Sequence, residues 1–419
     1  MDDRMYVCID LKSFYASCEC VERGLDSMTT DLVVADPARG NGAICLAVSP
    51  SLKSKGVKNR CRLYEIPSGM KYIIAVPRMK LYMEYSAKIY SVYLKYISKD
   101  DIHVYSIDEC FIDITDYMKI YGLSAKEMAM MLMDKVLKET GIYATAGIGT
   151  NLFLAKVALD ITAKHSKDRL GYLDKKIFKD KIWHHRPITD IWNVGRGIAA
   201  RLESHGVYDL AGVALMSEKT LFKEFGVNAE YLIDHANGEE SCTIKDIHNY
   251  KSKSSSISNG QILFEDYNFN DAKIVLREMV DMLSLDLVDN NLFTNSISLY
   301  VGYSKDVIRP SGGTKKLSEY TNSSKKLVQY FLDYFDSTVK KGYPIRKINI
   351  GFNNLSENTG FTIDIMGESE EERREKDLQK TVIAIKKKFG KNAILKGTSL
   401  EEKATGQMRN KLIGGHNGE

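Results

Sequence analysis

Residues 103–115 read HVYSIDECFIDIT, two apolar, strand-like halves with the acids Asp108 and Glu109 at the join. Neighbouring residues of a strand face opposite ways, so both acids reach one site only at a bend or hairpin tip. Upstream, Met5 to Asp10 predicts a buried strand that ends in a third carboxylate. Ser13 stands where a helix cap is expected, before FYASCECVERG, which Gly24 ends. Downstream come an amphipathic helix (SAKEMAMMLMDKVLKETG, 124–141), a strand (IYATAGIG, 142–149) and a second helix (NLFLAKVALDITAKHS, 151–166). The order β-α-…-β-β-α-β-α is that of a ferredoxin-like, split-βαβ unit.

The first helix is separated from the next helical stretch, Met79 to Tyr96, by a long interruption that predicts an inserted subdomain. Within it DLVVAD (31–36) and AICLAVS (43–49) read as a hairpin turning at Asn41-Gly42. From Arg169 to about Asn249 short helices rich in Lys and Arg are expected. NYKSKSSSISNG (249–260) is polar and Ser/Lys-rich, the composition of a linker. Gln261 to Phe352 alternates strand, helix, strand, helix, strand, a second α+β unit. The charge run ESEEERREKDLQKTVIAIKKKFG (368–390) predicts one solvated helix.

The chain has 419 residues, 44% hydrophobic and 27% charged, an ordinary globular composition with room for several domains. No apolar run is long enough to span a bilayer, and the acidic start MDDRMYVCID is unlike a secretory signal, so a cytoplasmic location and no membrane partner are expected. The seven cysteines are odd in number, scattered and without a CxxC pair, which argues against a disulfide framework or a zinc site. Fifty-nine Lys and Arg against 55 Asp and Glu give +4, a bias too mild to decide for or against a nucleic-acid partner.

Asp10, Asp108 and Glu109 near the ends of adjacent strands are costly to bring together without a cation. Two Mg²⁺ ions resolve that cost; hard oxygen ligands suit Mg²⁺, and two such ions activate a hydroxyl and stabilise a leaving pyrophosphate. Solvated strand-end acids are the plainer alternative. Asp113 and the methionines of MAMMLMDKV read as structural. NVGRGIAARL, from Asn193, matches G-x-G-x-x-A but lies among helices, which excludes a dinucleotide fold. Gly195 and Gly197 instead fit a helix-hairpin-helix turn, in which backbone N–H groups approach a phosphate.

Three segments occur in fixed order: IDLKSFYASCE (9–19), YSIDECFIDIT (105–115) and AGIGTNLFLAKVALDITAK (146–164). Together they resemble the Y-family (UmuC/DinB-like) translesion DNA polymerases, most closely the UmuC-like branch of Gram-positive type, over essentially the whole chain. The resemblance implies an α+β fold: a ferredoxin-like palm (1–25 and 80–168) with inserted fingers (26–79), a small helix-hairpin-helix thumb (169–243), a linker (244–256), a separate α+β little finger (257–353) and a C-terminal tail with a charged helix (354–419). It implies error-prone, template-directed DNA synthesis from dNTPs on a primer–template. Two Mg²⁺ ions, for which Mn²⁺ can substitute, fall on Asp10, the backbone of Leu11, Asp108 and Glu109.

The steric gate against ribonucleotides falls on Tyr15, with Phe14 beside it. Phosphate contacts fall on Lys53 and, if one residue is inserted before it, on Lys164; Lys156 reads as structural. Pro50 stands where relatives carry a phosphate-binding Tyr, which puts that contact in doubt. Arg60 and Arg62 face the template, the phosphates or solvent. The pairs Lys315-Lys316, Lys325-Lys326 and Arg346-Lys347 are expected to track DNA phosphates. Thr362–Met366 resembles a sliding-clamp peptide that lacks its leading Gln and final Phe, and an accessory UmuD-like subunit is a further partner of such enzymes. Two rivals stand beside this reading: another two-metal palm, such as a nucleotide cyclase, and an inactive relative that only holds DNA.

Overall fold

The computed structural model describes residues 4–252, 255–304, 307–357 and 370–418. The chain divides into two compact units, 1–250 with 418–419, and 251–417. Among the described residues no helix is long and apolar enough to cross a membrane.

The first unit opens with β1 (Tyr6–Leu11) and α1 (Phe14–Val21). Ser13 lies at the N-terminus of α1 in the left-handed region, with φ 49°, and its side chain does not cap the helix. The expected cap is therefore absent; Ser13 Oγ instead accepts from Lys53 Nζ at 2.9 Å. A small sheet follows, β2 (Leu32–Val34), β3 (Ala47–Val48) and β4 (Ile73–Ala75), with β2 central, antiparallel to β3 and parallel to β4. The hairpin is looser than a two-residue Asn41-Gly42 turn, because a 3₁₀ turn at Pro37–Arg39 comes first and the strands pair only at Val33–Val48 and Val34–Ala47. α2 (Pro50–Ser54) begins with Pro50 at its first position, where a missing N–H costs nothing, and Ser49 Oγ accepts from Leu52 N.

Then come α3 (Met79–Tyr93), β5 (Ile102–Val104), β6 (Glu109–Asp113), α4 (Thr115–Tyr121), α5 (Ala125–Thr140), β7 (Ala144–Gly149), α6 (Leu152–Val157) and β8 (Leu170–Leu173). The sequence sets the bounds of α5: Ser124 and Glu127 form a capping box, and Gly141 ends the helix with φ 72°. The large sheet has the order β5-β6-β1-β7-β8, with β1 antiparallel to both neighbours. This is the ferredoxin-like α+β arrangement that the sequence predicts. One face carries α3 and α5 over a core that includes Ile9, Ile112, Leu132 and Ile148.

The other face carries α6 in unusually close approach. A Cβ added at Gly147 would lie 2.1 Å from the backbone N of Leu159, and one at Gly149 would lie 2.2 Å from that of Ala155. The glycines of AGIG thus set how near α6 lies to β1 and its acids. α7 (Lys175–Lys181), α8 (Arg196–Glu203), α9 (Leu210–Leu215), α10 (Glu218–Phe225), α11 (Ala229–Ala236) and α12 (Ile244–Asn249) complete the unit as short helices.

In the second unit β9 (Ile257–Tyr267), β10 (Leu292–Tyr303), β11 (Ser311–Thr321) and β12 (Ile345–Asn353) form a sheet of order β11-β10-β12-β9. α13 (Phe269–Asp289) and α14 (Ser324–Thr338) cover one face through Leu276, Met279, Phe331 and Phe335. The charged helix α15 (Glu370–Phe389) is docked on this unit rather than simply solvated. Glu375 accepts from Lys325 N at 3.0 Å and from Ser323 Oγ at 2.6 Å, at the N-terminus of α14. Beyond it, the carboxylate of Glu278 on α13 accepts from Thr405 N at 2.8 Å and from Gly406 N at 3.0 Å.

Gly147→Ala should destabilise the protein by about 2–3 kcal/mol, because the added methyl meets helix backbone rather than a side chain that can turn aside. Gly197→Ala, whose methyl would meet nothing within 4 Å, should cost little or stabilise. Urea midpoints of the two variants check the contrast.

Candidate active site

The central strand pairing brings the acids together. Asp10 lies directly opposite Glu109 in the β1–β6 register, and Leu11 N donates to Asp108 O at 2.9 Å. The chain reverses between β5 and β6, where Tyr105 N and Ser106 N both donate to Glu109 O at 3.0 Å. Asp108 and Glu109 therefore sit at a hairpin tip, the one geometry that lets adjacent residues share a site. Ser106 Oγ donates to Asp108 Oδ1 at 2.7 Å. Burial pushes the Asp10 carboxyl up to about 7, helped by the negative charges of Asp108 and Glu109 and opposed by Lys164 and Lys156.

Glu109 has a partner of its own. Lys156 Nζ on α6 lies 2.7 Å from Oε1 and 2.8 Å from Oε2, and both side chains are under 10% exposed, 8% for Lys156 and 9% for Glu109. Cys8 Sγ also donates to Oε1 at 3.1 Å. Lys156 reaches Asp160 Oδ2 at 3.1 Å, and Asp160 Oδ1 accepts from Lys164 Nζ at 2.9 Å. Burial works against the Lys156 charge, yet the Glu109 carboxylate outweighs it and holds the ammonium above its ordinary value. The result is an alternating row, Glu109, Lys156, Asp160, Lys164.

Between the two lysines the helix widens into a π turn at Ala158–Thr162. Such a turn takes up one extra residue within a helix, the same count by which Lys164 is offset in the sequence. Among the described residues no three His, Cys, Asp or Glu side chains stand gathered as a ready metal sphere. The donor chemistry nonetheless fits a hard dication. Three carboxylates share one field: Asp10 is pushed toward protonation by burial and then by the charges of Asp108 and Glu109, and Glu109 is paired with the Lys156 ammonium.

Further lysines lie in the field of the acids. Burial lowers the Lys53 ammonium, Asp10 opposes that shift, and Lys164 and Lys12 add to it, so these four groups share one field. Lys12 had no signal in the sequence beyond its place next to the first acid. Tyr15 is half-buried and stacks on Tyr82, with centroids 4.5 Å apart and planes at 15°. Its phenol is pushed up by burial and then by the charge of Asp108, which places it on the acid side of α1. Phe14 is only 3% exposed and belongs to the core, so Tyr15 is the aromatic left to face a ligand.

Tyr82 is held in turn by the fully buried Glu19, which accepts from its OH at 2.8 Å and from Arg78 at 2.7 and 3.0 Å, and also pairs with Arg23. Sequence spacing cannot show this anchor, because its parts lie 59 and 63 residues apart. Asp113 is structural as read, accepting from Thr115 N and pairing with Arg4 at 3.2 Å.

Other expected residues are placed differently. Arg62 Nη1 donates to Gly42 O at 2.5 Å, so its guanidinium holds a loop. Gly195 and Gly197 open α8 with nothing within 4 Å of either would-be Cβ, leaving that helix start uncrowded. Lys325 pairs with Glu371, and Lys326 with Glu319 and Glu372, so this basic pair is neutralised within its own unit. Arg346 lies 3.5 Å from Asp266, and Lys347 sits over the Tyr300 ring. Thr362–Met366 lies outside the described residues.

Comparison with known proteins agrees with the motifs. Residues 9–160 match the model of the impB/mucB/samB family, and residues 254–365 match that of the impB/mucB/samB family C-terminal domain. The chain is 30% identical to the putative UV-damage repair protein UvrX of Bacillus subtilis (strain 168), over 98% of this chain and 97% of that one. It is 29% identical to DNA polymerase IV 2 of the same organism, over 99% of both. Among solved structures, a Y-family DNA polymerase chimera, Dbh-Dpo4(243-245)-Dbh, shares the fold with a TM-score of 0.64 at 20% identity, covering 84% of this chain and all of that one. With 98% of its length aligned to UvrX at 30% identity and two segments matching the family's models, the chain belongs to the impB/mucB/samB family.

Proposed function

We infer that this protein is a template-directed DNA polymerase of the lesion-bypassing kind, adding dNTPs to a primer 3′-hydroxyl. The observation that carries the reading is the meeting of Asp10, Asp108 and Glu109 at one end of the central strands, with Lys53 and Lys164 beside Asp10. In this reading the large sheet and its helices (1–25 and 80–168) are the palm, 26–79 the fingers, 169–243 the thumb, 244–256 a linker and 257–353 the little finger, with 354–419 as a tail. Asp10, Asp108, Glu109 and the Leu11 carbonyl would hold two Mg²⁺ ions, or Mn²⁺ in their place. Such ions lower the pKa of the attacking hydroxyl and neutralise the leaving pyrophosphate.

The protein's own part is placement. Lys53 and Lys164 meet the triphosphate, and Tyr15, braced by Tyr82, closes the space a 2′-hydroxyl would need. Gly195 and Gly197 present an α-helix start to the DNA backbone. The sliding clamp and a UmuD-like subunit are further candidate partners of the same enzyme. An inactive DNA-holding relative would have no use for three acids kept together at this electrostatic cost.

Primer extension with Mg²⁺ and four dNTPs is expected for the wild type. Asp108→Ala/Glu109→Ala should lower it to about one-thousandth or less, since each lost ligand removes several kcal/mol of transition-state stabilisation. A double variant as active as wild type would refute the site. Tyr15→Ala should incorporate ribonucleotides far more readily, read as the ratio of kcat/KM for dNTP and rNTP; an unchanged ratio would place the gate elsewhere.

Asp10 keeps its proton up to about pH 7 in the cation-free protein. Cation loading must release that proton, so the Mg²⁺ concentration for half-maximal extension should rise as pH falls below 7, by up to about tenfold per pH unit. A flat Mg²⁺ requirement between pH 6 and 8 would show that Asp10 does not titrate on loading.

A further inference from the structure

Resting on the metal-site reading of the three acids, we propose that Lys156 is the resident counter-ion of Glu109 and that divalent-cation binding is an exchange. Glu109 leaves Lys156 for the incoming cation, and Lys156 passes to Asp160. Lys156 is thus a positioning residue that sets the affinity of the acid site without touching the cation.

Four observations carry this. First, Lys156 Nζ is within 2.8 Å of both Glu109 oxygens, so neither oxygen is free of the lysine. Second, both side chains are under 10% exposed, 8% and 9%, so the pair is held within the protein rather than in solvent. Third, Asp160 already stands 3.1 Å from the same ammonium, so losing Glu109 does not leave a buried charge alone. Stranding one partner of a buried pair is what makes breaking it expensive, and a carboxylate waiting at the same ammonium avoids that cost.

Fourth, the helix that carries Lys156 packs backbone to backbone on β7 at Gly147 and Gly149, with no intervening side chain. The exchange needs only side-chain motion, because Asp160 already lies within reach of the same ammonium. Lysine suits that motion: its ammonium is a compact point charge on a flexible four-carbon stem, whereas a guanidinium fork would bind the carboxylate in a fixed geometry. Because Asp160 is shared with Lys164, the exchange also bears on the lysine expected at the triphosphate. As Lys156 takes a larger share of Asp160, Lys164 is released toward an incoming anion. Cation and triphosphate binding are thereby coupled through side chains already in contact.

The test is Mn²⁺ binding to the full chain, read by the loss of free-ion electron paramagnetic resonance signal at pH 8. Lys156→Met keeps the volume and removes the competitor, and should tighten Mn²⁺ by about tenfold or more, the scale of a lost charge-assisted hydrogen bond. Lys156→Arg should bind no better than wild type. Lys164→Met removes a positive charge from the same field but leaves Lys156 in place beside Glu109, and should tighten Mn²⁺ by clearly less; an equal effect would reduce the exchange to a general field and overturn it.

Should Lys156→Met not fold, Asp160→Asn reads the same exchange in the opposite sense, since it commits Lys156 to Glu109 and should weaken Mn²⁺. An unchanged Kd in Lys156→Met, or in Asp160→Asn where that variant takes its place, would overturn the proposal while leaving the metal site standing. Absence of any wild-type Mn²⁺ site that Asp10→Asn/Asp108→Asn abolishes would overturn the site and the exchange together.

Discussion

The repulsion among three carboxylates at the end of two paired strands is the constraint from which the first unit follows. Asp10 and Glu109 face each other because β1 and β6 are antiparallel in a register that leaves no other pairing. Asp108 joins them because the chain reverses there. Burial and then the neighbouring negative charges raise the cost of ionising Asp10, whose carboxyl is pushed up to about 7. The compensating charge has to come from a helix packed on the same sheet. A single ammonium serves only if the helix lies very close, hence glycine at 147 and 149, where any side chain would meet backbone.

Much of this was legible in the sequence, and the parts that were share a local cause. β1, the acidic hairpin tip and α5 with its Ser124–Glu127 capping box are set by patterns within a few residues. What was not legible depends on partners far apart in the chain. Lys156 reads as one more lysine on a helix until Glu109, 47 residues earlier, is seen to fill its ammonium. Glu19 is fully buried and joins Arg78 and Tyr82, 59 and 63 residues later, across the α1–α3 contact. Ser13 fails as a cap for a different reason: its backbone is left-handed, and its hydroxyl accepts from Lys53 instead.

The second unit shows why counting basic residues misleads. Lys325-Lys326 looks like a phosphate-tracking pair, but carboxylates of α15 and Glu319 neutralise it. The acidic start of α15 sits beside the first turn of α14, where its carboxylates complement both the lysines and the exposed N–H groups of that helix end. Charge runs in this tail are therefore structural complements within the unit, and the mild net charge of the chain says little about how it meets DNA.

The site without ligand is thus balanced within itself. The acids are stabilised by Lys156 and Lys164, and the lysines, crowded enough that burial and mutual repulsion lower Lys53, are stabilised by Asp10. Each set stands in for the ligand of the other: ammonium groups where a dication would go, carboxylates where phosphates would go. In the proposed reading a metal-bound triphosphate would replace both sets of contacts at once, a cation for the acids and an anion for the lysines. A cation alone would leave Lys156 with Asp160 but would draw Asp10 away from Lys53. In that reading the arrangement favours joint arrival of cation and nucleotide, a preference that follows from the charges of these side chains before any template is considered.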